Sequence, residues 1–352
     1  MGSIGVATAT SIPHLLAFRF FQTFGVSSGL SVGAGVIGDI YKLEERGTAM
    51  GVFFAAILLG PAIAPLSGGA AAHYASWRAM QLILAVIVSF VLLSVLLFLP
   101  ETSHPGTRGV DKLSNSERPR GRTWLKLKIP VLLNPFLPLL MLRSPIVLIA
   151  AMVAFLILAV EYVLIIPLAY TIGPKYGLSN EAFVGACFIP HGVGSMIGAP
   201  LAGRLSDRIV TQYKAKRGSW YPEDRLRASL FPASTIVPLS VLVSGVLTTI
   251  DKADSNIKKI DMALSPCSAY IVDILHSQSA ESTAANSAFR AALLSLWIMA
   301  ILPMVENWGV LAADGVAALL SWLTFGLLCV AIRYGETLRS WVDLGYSTEE
   351  TN

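Results

Sequence analysis

Residues 146–155 have the sequence Ile146-Val147-Leu148-Ile149-Ala150-Ala151-Met152-Val153-Ala154-Phe155, ten positions without a polar side chain. A strand of an outer-membrane barrel alternates apolar and polar residues, because only one of its faces meets lipid. This run is apolar on every face, and so is Leu82-Ile83-Leu84-Ala85-Val86-Ile87-Val88. Such runs predict α-helices in hydrocarbon, where each backbone polar group must be bonded within the helix.

The composition of the whole chain agrees with a membrane environment. Of 352 residues, 54% are hydrophobic and 14% are charged, and the mean hydropathy is +0.65. A soluble domain carries about 25% charged residues. A bilayer core about 30 Å thick requires roughly 20 consecutive apolar residues per helix. The sequence predicts eight such spans, at 13–40, 47–72, 77–99, 145–171, 180–203, 229–250, 283–305 and 309–333.

Two further segments give weaker predictions. Residues 260–275 are barely long enough to cross a bilayer and carry Asp261 near their start. Residues 1–12 resemble the end of another span.

A polar segment, 101–144, divides the predicted spans into two groups. Residues 1–100 contain three clear spans and a fragment, residues 145–335 contain five clear spans and the weak one, and 336–352 form a tail. Duplicated halves are the common construction of secondary transporters. Two equal halves would need about two and a half more helices in the first group, so we expect an N-terminally incomplete bundle that transports poorly or not at all by itself.

Positive charge is concentrated in two loops. Residues 101–144 and 204–227 are both rich in lysine and arginine, whereas the loop between them carries Lys175 alone and the loop around Asn307 carries no cation. Cytoplasmic loops are enriched in lysine and arginine. We therefore predict that both basic loops and the C-terminus are cytoplasmic. A polybasic loop can instead bind nucleic acid or acidic lipid, but the alternation of basic and neutral loops favours the topological interpretation, and no nucleic-acid partner is expected.

A short pattern occurs twice. Residues 37–40 have the sequence Ile-Gly-Asp-Ile and precede the pair Thr48-Ala49, and residues 271–274 have the sequence Ile-Val-Asp-Ile and precede the pair Thr283-Ala284. In both places an apolar helix ends in Ile-x-Asp-Ile, crosses a short acidic loop and is followed by a long span. The repeat indicates duplicated halves, although chance similarity is possible in so simple an alphabet.

These features resemble the major facilitator superfamily, most closely its fungal drug:proton antiporter-type members with twelve spans. The stretch Gly203-Arg204-Leu205-Ser206-Asp207-Arg208 is similar to the loop signature Gly-x-Leu-x-Asp-Arg of that family. The resemblance implies that Asp207 pairs with a helix end or a cation across the two halves. It also implies that Arg208 pairs with an acidic partner, which stabilises the outward-facing state.

Two other stretches resemble elements of the same family. Residues 60–69 are similar to the antiporter signature Gly-x3-Gly-Pro-x2-Gly-Gly, with matching or adjacent Gly60, Pro61, Pro65, Gly68 and Gly69, and with Ala64 in place of a glycine. Arg19 and Gln22 match an Arg-x-x-Gln-Gly-x-Gly element associated with proton coupling, with Thr23 in place of a glycine.

Glycine spacing predicts close packing between helices. Gly25, Gly29 and Gly33 recur every four residues, as do Gly194 and Gly198. Small residues at this spacing allow helix backbones to touch. The same physics leads us to expect that Pro61 and Pro65 bend their span, because each removes a backbone donor.

Ionisable residues inside spans are costly and therefore informative. We select Arg19, Glu161 and Arg290 as candidates for proton coupling, since burial of a carboxyl group favours its neutral, proton-bound form. The alternative for Glu161 is a structural hydrogen bond or a static pair with Arg290. Candidates for cavity lining are Gln22, Tyr162, His191 and Asn286; a lone helix histidine is, however, often only a packing residue.

The sequence thus predicts an all-α polytopic bundle of two pseudo-symmetric halves, the first of them incomplete, that carries a small molecule by alternating access. Proton-coupled antiport of a drug-like or polyamine-like substrate is the leading hypothesis, and sugar or organic-acid symport or a non-transporting protein are the alternatives. We expect a monomer in the plasma membrane with protons, substrate and lipid as its partners. No cofactor or metal is expected, since the match of residues 33–38 to Gly-x-Gly-x-x-Gly lies in an apolar helix. The five histidines form no His-x2-His or His-x3-His pattern, which argues against a membrane enzyme.

Overall fold

The computed structural model of the protein describes residues 1–100, 102, 137–176, 180–219, 221–249 and 279–341. Within these ranges it is helical and contains no strand. Eight of its helical stretches are long and apolar enough to cross a bilayer, which confirms the predicted class of polytopic α-helical membrane protein. The α-helices are α1 (Gly2–Thr8), α2 (Ile12–Ile40), α3 (Leu43–Tyr74), α4 (Trp77–Phe98), α5 (Pro145–Tyr176), α6 (Glu181–Ala186), α7 (Ile189–Arg217), α8 (Val237–Thr249), α9 (Ser279–Trp308) and α10 (Val310–Ser340).

Several predicted segments lie outside the described residues. The weak span at 260–275 is among them, as are the second Ile-x-Asp-Ile copy at 271–274 and most of the basic segment 101–144. The end of that segment is described, and it forms a 3-10 helix, Leu137–Arg143, instead of a loop.

The helix ends differ from the sequence-based bounds where charge follows the apolar run. α7 continues beyond residue 203 to Arg217, and α10 continues beyond residue 333 to Ser340. Cationic side chains in the last turns of a helix are favourable near its negative pole, so these helices extend past the hydrocarbon. The predicted span at 229–250 is built from a 3-10 helix, Pro222–Ser229, then a π-helix, Pro232–Ile236, and then α8.

Local sequence explains the turns between helices. Gly309 has φ of 81° between α9 and α10, and Gly218 has φ of 74° after α7. Glycine adopts this backbone region at little cost. Ser76 and Asn180 cap α4 and α6, with their side-chain oxygens accepting from the backbone N–H groups of Ala79 and Ala182; such caps satisfy donors that a helix start leaves free.

The helices pack in two groups that meet along α3 and where α2 lies against α9. In one group α10 lies against α5 and α8, and α9 lies against α5. In the other α1 packs on α2 and α4. α3 runs beside α6 and α7 along its length, and their shared core includes Met50, Phe54, Ala154 and Ala199. The contact of α3 with α6 and α7 therefore joins the helices before residue 101 to those after residue 136.

Glycines make this contact close, but not the ones that spacing indicated. A Cβ atom on Gly203 would overlap the backbone carbonyl of Gly47, and one on Gly51 would lie 2.6 Å from the carbonyl oxygen of Ala199. Near the other end of α3, Gly69 lies against the backbone of α6, and Gly185 of α6 lies against that of α3. The backbone of α3 therefore contacts the backbone of α7 near one end and the backbone of α6 near the other.

The predicted packing role of Gly25 and Gly29 is wrong within the described part of the chain. A Cβ atom at either position would have no described heavy atom within 4 Å, and the same holds for Gly60 and Gly68 of the antiporter-like stretch. Glycine spacing shows only that another helix could pack closely against this face of α2. Whether one does depends on where the neighbouring helices lie. Gly33 does meet a neighbour, the ring of Phe53.

Candidate functional site

Asp207 of α7 is held by the start of α3. Its Oδ1 accepts from the backbone N–H of Gly47 at 2.9 Å, and its Oδ2 accepts from the backbone N–H of Thr48 at 2.6 Å and from the Thr48 hydroxyl at 2.7 Å. Hydrogen bonds to an ionised group are shorter and stronger than neutral ones. The positive pole at the N-terminal end of α3 adds a favourable field.

A buried arginine completes the arrangement. Arg225, in the 3-10 helix Pro222–Ser229, has no solvent exposure and donates from Nη1 to Oδ1 of Asp207 at 2.8 Å. Removing a guanidinium from water is costly unless its charge is paired, so the ion pair and the burial depend on one another. We call Gly47, Thr48, Asp207 and Arg225 the Asp207 clamp. Sequence analysis implied a helix end or a cation across the two halves as the partner of Asp207; the start of α3 is such a partner, whereas Arg225 lies in the same half as Asp207.

The 3-10 helix Pro222–Ser229 makes further ion pairs to two other helices. Glu223 lies 2.6 Å from Nη1 of Arg339 in α10, and both are buried. Asp224 pairs with Arg217 at the end of α7 and with Arg227 of its own segment. The guanidinium groups of those two arginines also lie 4.9 Å and 4.7 Å from the ring of Tyr213. We call this end of the bundle, which carries Asp207, Arg217, Arg225 and Arg339, the basic end.

Sequence reasoning treated these cations only as topological signals. Arg225 and Arg227 were counted in a basic loop, and Glu223 and Asp224 were not selected. The available signal was the alternation of sign in Glu223-Asp224-Arg225-Leu226-Arg227, which favours salt-bridge formation on a helix.

The remaining motif arginines lie beside the clamp without taking part in it. Arg204 and Arg208 are exposed, and neither forms an ion pair or hydrogen bond with any residue that the structure describes. The acidic partner implied for Arg208 is therefore not found in the described part of the chain. Both arginines instead line a cavity of about 410 Å³ together with Glu44 and Thr48 of α3.

The antiporter-like stretch lies in the second half of α3. Pro61 and Pro65 are inside a helix that continues from Leu43 to Tyr74. The backbone of Pro65 is what meets Gly185, and Gly69 meets the backbone of Glu181, so two of the five selected residues contact α6.

A second polar contact joins α3 to α6 at the end opposite to the clamp. Nδ1 of His73 lies 3.2 Å from Oε2 of Glu181, and Nδ2 of Asn180 donates to the Tyr74 hydroxyl at 3.2 Å. These side chains are exposed, and exposed pairs contribute little to stability. No sequence signal singled out His73 or Glu181, which are 108 positions apart.

Glu161 and His191 meet between α5 and α7. Nε2 of His191 lies 3.1 Å from Oε1 of Glu161, and their side chains are 11% and 10% exposed. The other oxygen, Oε2, is buried and has no hydrogen-bond partner among the described residues. The sequence-based alternative of a static pair between Glu161 and Arg290 is therefore wrong for direct contact, because histidine occupies that position.

Three other selected residues lie close to this pair or on the helix beside it. Arg290 of α9 is near enough to Glu161 and Tyr162 for their charges to act on it, although it makes no ion pair or hydrogen bond with a described residue. Asn286, one turn earlier on α9, is buried, and its Oδ1 has no partner in the described ranges. A buried, incompletely satisfied polar group is unusual in a membrane helix and is a typical feature of a functional site.

Arg19 and Gln22 belong to a separate set of contacts. Arg19 donates to Oε1 of Gln22, and Nε2 of Gln22 donates to Ser3 and to Gln81. These bonds connect α1, α2 and α4 and do not reach Glu161 or Arg290 in the described structure.

The fold and these contacts define a class of protein: a helical membrane bundle in which charged and glycine-rich contacts join two groups of helices. Comparison with known proteins gives the family. The family model described as Major Facilitator Superfamily matches residues 1–253. The chain belongs to this superfamily.

Relatives and one solved structure agree. The chain is 27% identical to the efflux pump radE of Floropilus chiversii over 96% of this chain and 66% of that protein. It is 31% identical to citrate exporter 1 of Aspergillus niger over 59% of this chain and 42% of that protein. The crystal structure of the human organic anion transporter MFSD10 (TETRAN) matches with a TM-score of 0.61 at 18% identity, over 93% of this chain and 74% of that one. The chain spans about two thirds or less of the length of these two curated relatives.

Proposed function

We propose that this protein carries a small molecule across a membrane by alternating access. The observation that carries the proposal is the Asp207 clamp, in which one carboxylate of α7 binds the backbone of α3 and a buried arginine at once. Rocking one group of helices against the other would open the basic end by separating Asp207 from Gly47 and Thr48. Membership of the superfamily and the resemblance to an efflux pump and an exporter support this function.

The His73–Glu181 contact supports a second closing point. It joins α3 to α6, the short helix that precedes α7, at the opposite end of the bundle, so the two contacts cannot both stay closed while substrate exchanges with each side. Alternating access requires that they break in turn. The basic end would face the cytoplasm, because cation-rich segments are retained there.

Proton coupling is the finer part of the proposal. The buried pair of Glu161 and His191 offers a carboxylate and an imidazole in contact, and both kinds of group can bind a proton. A proton bound there turns a neutral imidazole into a cation that the carboxylate stabilises. Exchange of that proton between the two sides would connect the gradient to the movement of the helices.

A drug-like or polyamine-like cation is the leading substrate class, and an organic anion is the second. The charges around Glu161 support an organic anion as the second class, since this one carboxylate is accompanied by Arg290 and by His191. When His191 is protonated, this group of side chains has a net positive charge. Resemblance to a citrate exporter adds support for an organic acid.

Flux into proteoliposomes tests the proposal. The purified chain is reconstituted, a pH gradient is imposed, and uptake of a cationic dye, a polyamine and a labelled tricarboxylate is followed with and without the gradient. Gradient-dependent flux of at least one class, however weak, would support the proposal, and this flux should be lost in Asp207→Asn but not in Gly25→Ala. Absence of flux for every class in correctly folded, inserted protein would reject transport by this chain.

A further inference from the structure

The cavity beside the Asp207 clamp carries uncompensated positive charge. It has a volume of about 410 Å³ and is lined by residues of α3 and α7, including two carboxylates and two guanidinium groups. Glu44 is paired with Lys214, 3.6 Å away, and Asp207 is paired with Arg225. Arg204 and Arg208 have no ion pair among the described residues. The lining carboxylates are therefore neutralised by cations that do not line the cavity, which leaves two guanidinium groups facing it.

We place the two arginines at the depth of lipid headgroups. Arg204 follows Glu181, at the opposite end of the candidate span Glu181–Arg217, by 23 residues, and roughly 20 residues are enough to cross the hydrocarbon. The hydrocarbon core is about 30 Å thick. Arg208 is one turn further along on the same face, since residues four apart in a helix are neighbours.

An apolar cavity adjoins the charged one. Its volume is about 540 Å³, it is lined by Ile37, Val52 and Phe53 among others, and it shares Glu44 and Thr48 with the charged cavity. Because the two cavities share these residues, the surface with the two guanidinium groups lies beside the apolar side chains, although Tyr41 and Glu45 also line the second cavity. Guanidinium groups recognise phosphate oxygens by paired hydrogen bonds.

We propose that the cavity binds the phosphate group of an anionic phospholipid from the cytoplasmic leaflet, with an acyl chain along the neighbouring apolar cavity. Arg204 and Arg208 bind the phosphate, while the hydroxyls of Thr48 and Thr211 stay bonded to Asp207. Because α3 and α7 both contribute, the bound lipid stabilises the closed state of the Asp207 clamp. This inference rests on insertion in a membrane with the basic end in the cytoplasm, and not on transport.

The experiment measures binding to the purified full chain in a neutral detergent. Short-chain phosphatidylglycerol, short-chain phosphatidylcholine and inorganic phosphate are titrated separately, with thermal unfolding and native mass spectrometry as readouts. We expect phosphatidylglycerol to raise the unfolding temperature and to bind at least tenfold more tightly than phosphatidylcholine. We expect inorganic phosphate to have no effect at the same concentration.

Matched variants distinguish a specific lipid site at Arg204 and Arg208 from the general attraction of any exposed cation to acidic lipid. Arg204→Gln/Arg208→Gln should lower the affinity for phosphatidylglycerol at least tenfold. Arg333→Gln is the control: Arg333 is exposed in α10, contacts only the ring of Tyr334 among described residues, and follows Val310 by the same 23 residues. It should bind lipid as the unaltered chain does.

Three results would overturn the proposal. They are equal binding of both lipids, an equal loss in Arg333→Gln, and an equal effect of inorganic phosphate, which would indicate a free anion site instead. If the double variant fails to fold, Arg204→Gln and Arg208→Gln are tested singly, and unchanged phosphatidylglycerol affinity in both would also overturn it.

Discussion

The guanidinium of Arg225 is completely buried, and its Nη1 lies 2.8 Å from Oδ1 of Asp207. Neither residue would be stable there alone, because a buried charge without a counter-ion keeps the full cost of leaving water. The pair also fixes α3, since the same carboxylate binds the N–H groups of Gly47 and Thr48.

Asp207→Asn should destabilise the protein strongly. The amide keeps the shape of the carboxylate but leaves Arg225 without a counter-charge, and breaking a buried pair in this way costs about 3–5 kcal/mol. Replacing both partners, in Asp207→Asn/Arg225→Met, should recover part of the loss. Thermal unfolding in detergent measures both, with the exposed Lys216→Gln as control. A double variant less stable than the single one would contradict the prediction.

Alanine at Gly51 or Gly203 should weaken the contact of α3 with α7. At both positions the new methyl group meets backbone, which cannot rotate away, and overpacking of this kind costs about 1–3 kcal/mol. Gly25→Ala and Gly29→Ala are the controls, because no described atom lies within 4 Å of either Cβ position. We expect unfolding temperatures to fall for the first two variants and not for the controls. An equal decrease in all four would indicate a general effect of removing glycine.

Glu161→Gln should leave the protein folded and inserted while removing the pH dependence of flux. The neutral amide cannot stabilise a protonated His191, so acidification no longer adds a bound charge at this position. His191→Gln should have the same consequence, because it removes the imidazole itself. His14→Gln is the matched control, since that histidine is exposed near the start of α2 and makes no ion pair or hydrogen bond with a described residue. Flux that retains its pH dependence in both Glu161→Gln and His191→Gln would reject the coupling role.

Tags inserted in the 101–144 segment and after Asn352 should both be cytoplasmic. Lysine and arginine are concentrated in this segment and in 204–227, and cation-rich loops stay on the cytoplasmic side. Labelling of intact and permeabilised cells measures the side, with a tag beside Asn307 as the outside control. Access to either basic-end tag from outside intact cells would overturn this orientation and the leaflet assigned to the lipid.

The membrane class and most helix positions could be predicted because they depend on local composition. The span predicted at 77–99 is observed as Trp77–Phe98, and the one at 13–40 as Ile12–Ile40. The predicted C-terminal ends of α7 and α10 were too early, because amphipathic or charged turns extend these helices into water as far as Arg217 and Ser340. Hydropathy measures what a helix does inside hydrocarbon and contains no information on how far it continues outside.

Partners across the bundle were the part that sequence could not supply. The motif around Asp207 indicated a partner across the two halves, but Gly47 and Thr48 are about 160 positions away and carry no matching signal. Likewise Glu161 could have paired with Arg290 or with His191, and both were in the selected set. Each helix presents several faces, and the rotation of α5 against α7 and α9 decides which side chain comes within 3.1 Å.

By itself, then, the sequence determined that the chain is a bundle of membrane helices, where most of them lie and which ionisable residues enter the apolar region, because each of these follows from the free energy of transferring a local segment from water to lipid. The tertiary structure alone decided that Arg225 neutralises Asp207, that His191 faces Glu161 and that Arg204 and Arg208 line one cavity. It also decided that the backbones touch at Gly47 and Gly203, whereas no described neighbouring helix approaches Gly25 or Gly29. These outcomes depend on how helices rotate and cross, and the packing energy that selects one arrangement is a sum over distant pairs that no single stretch of sequence contains.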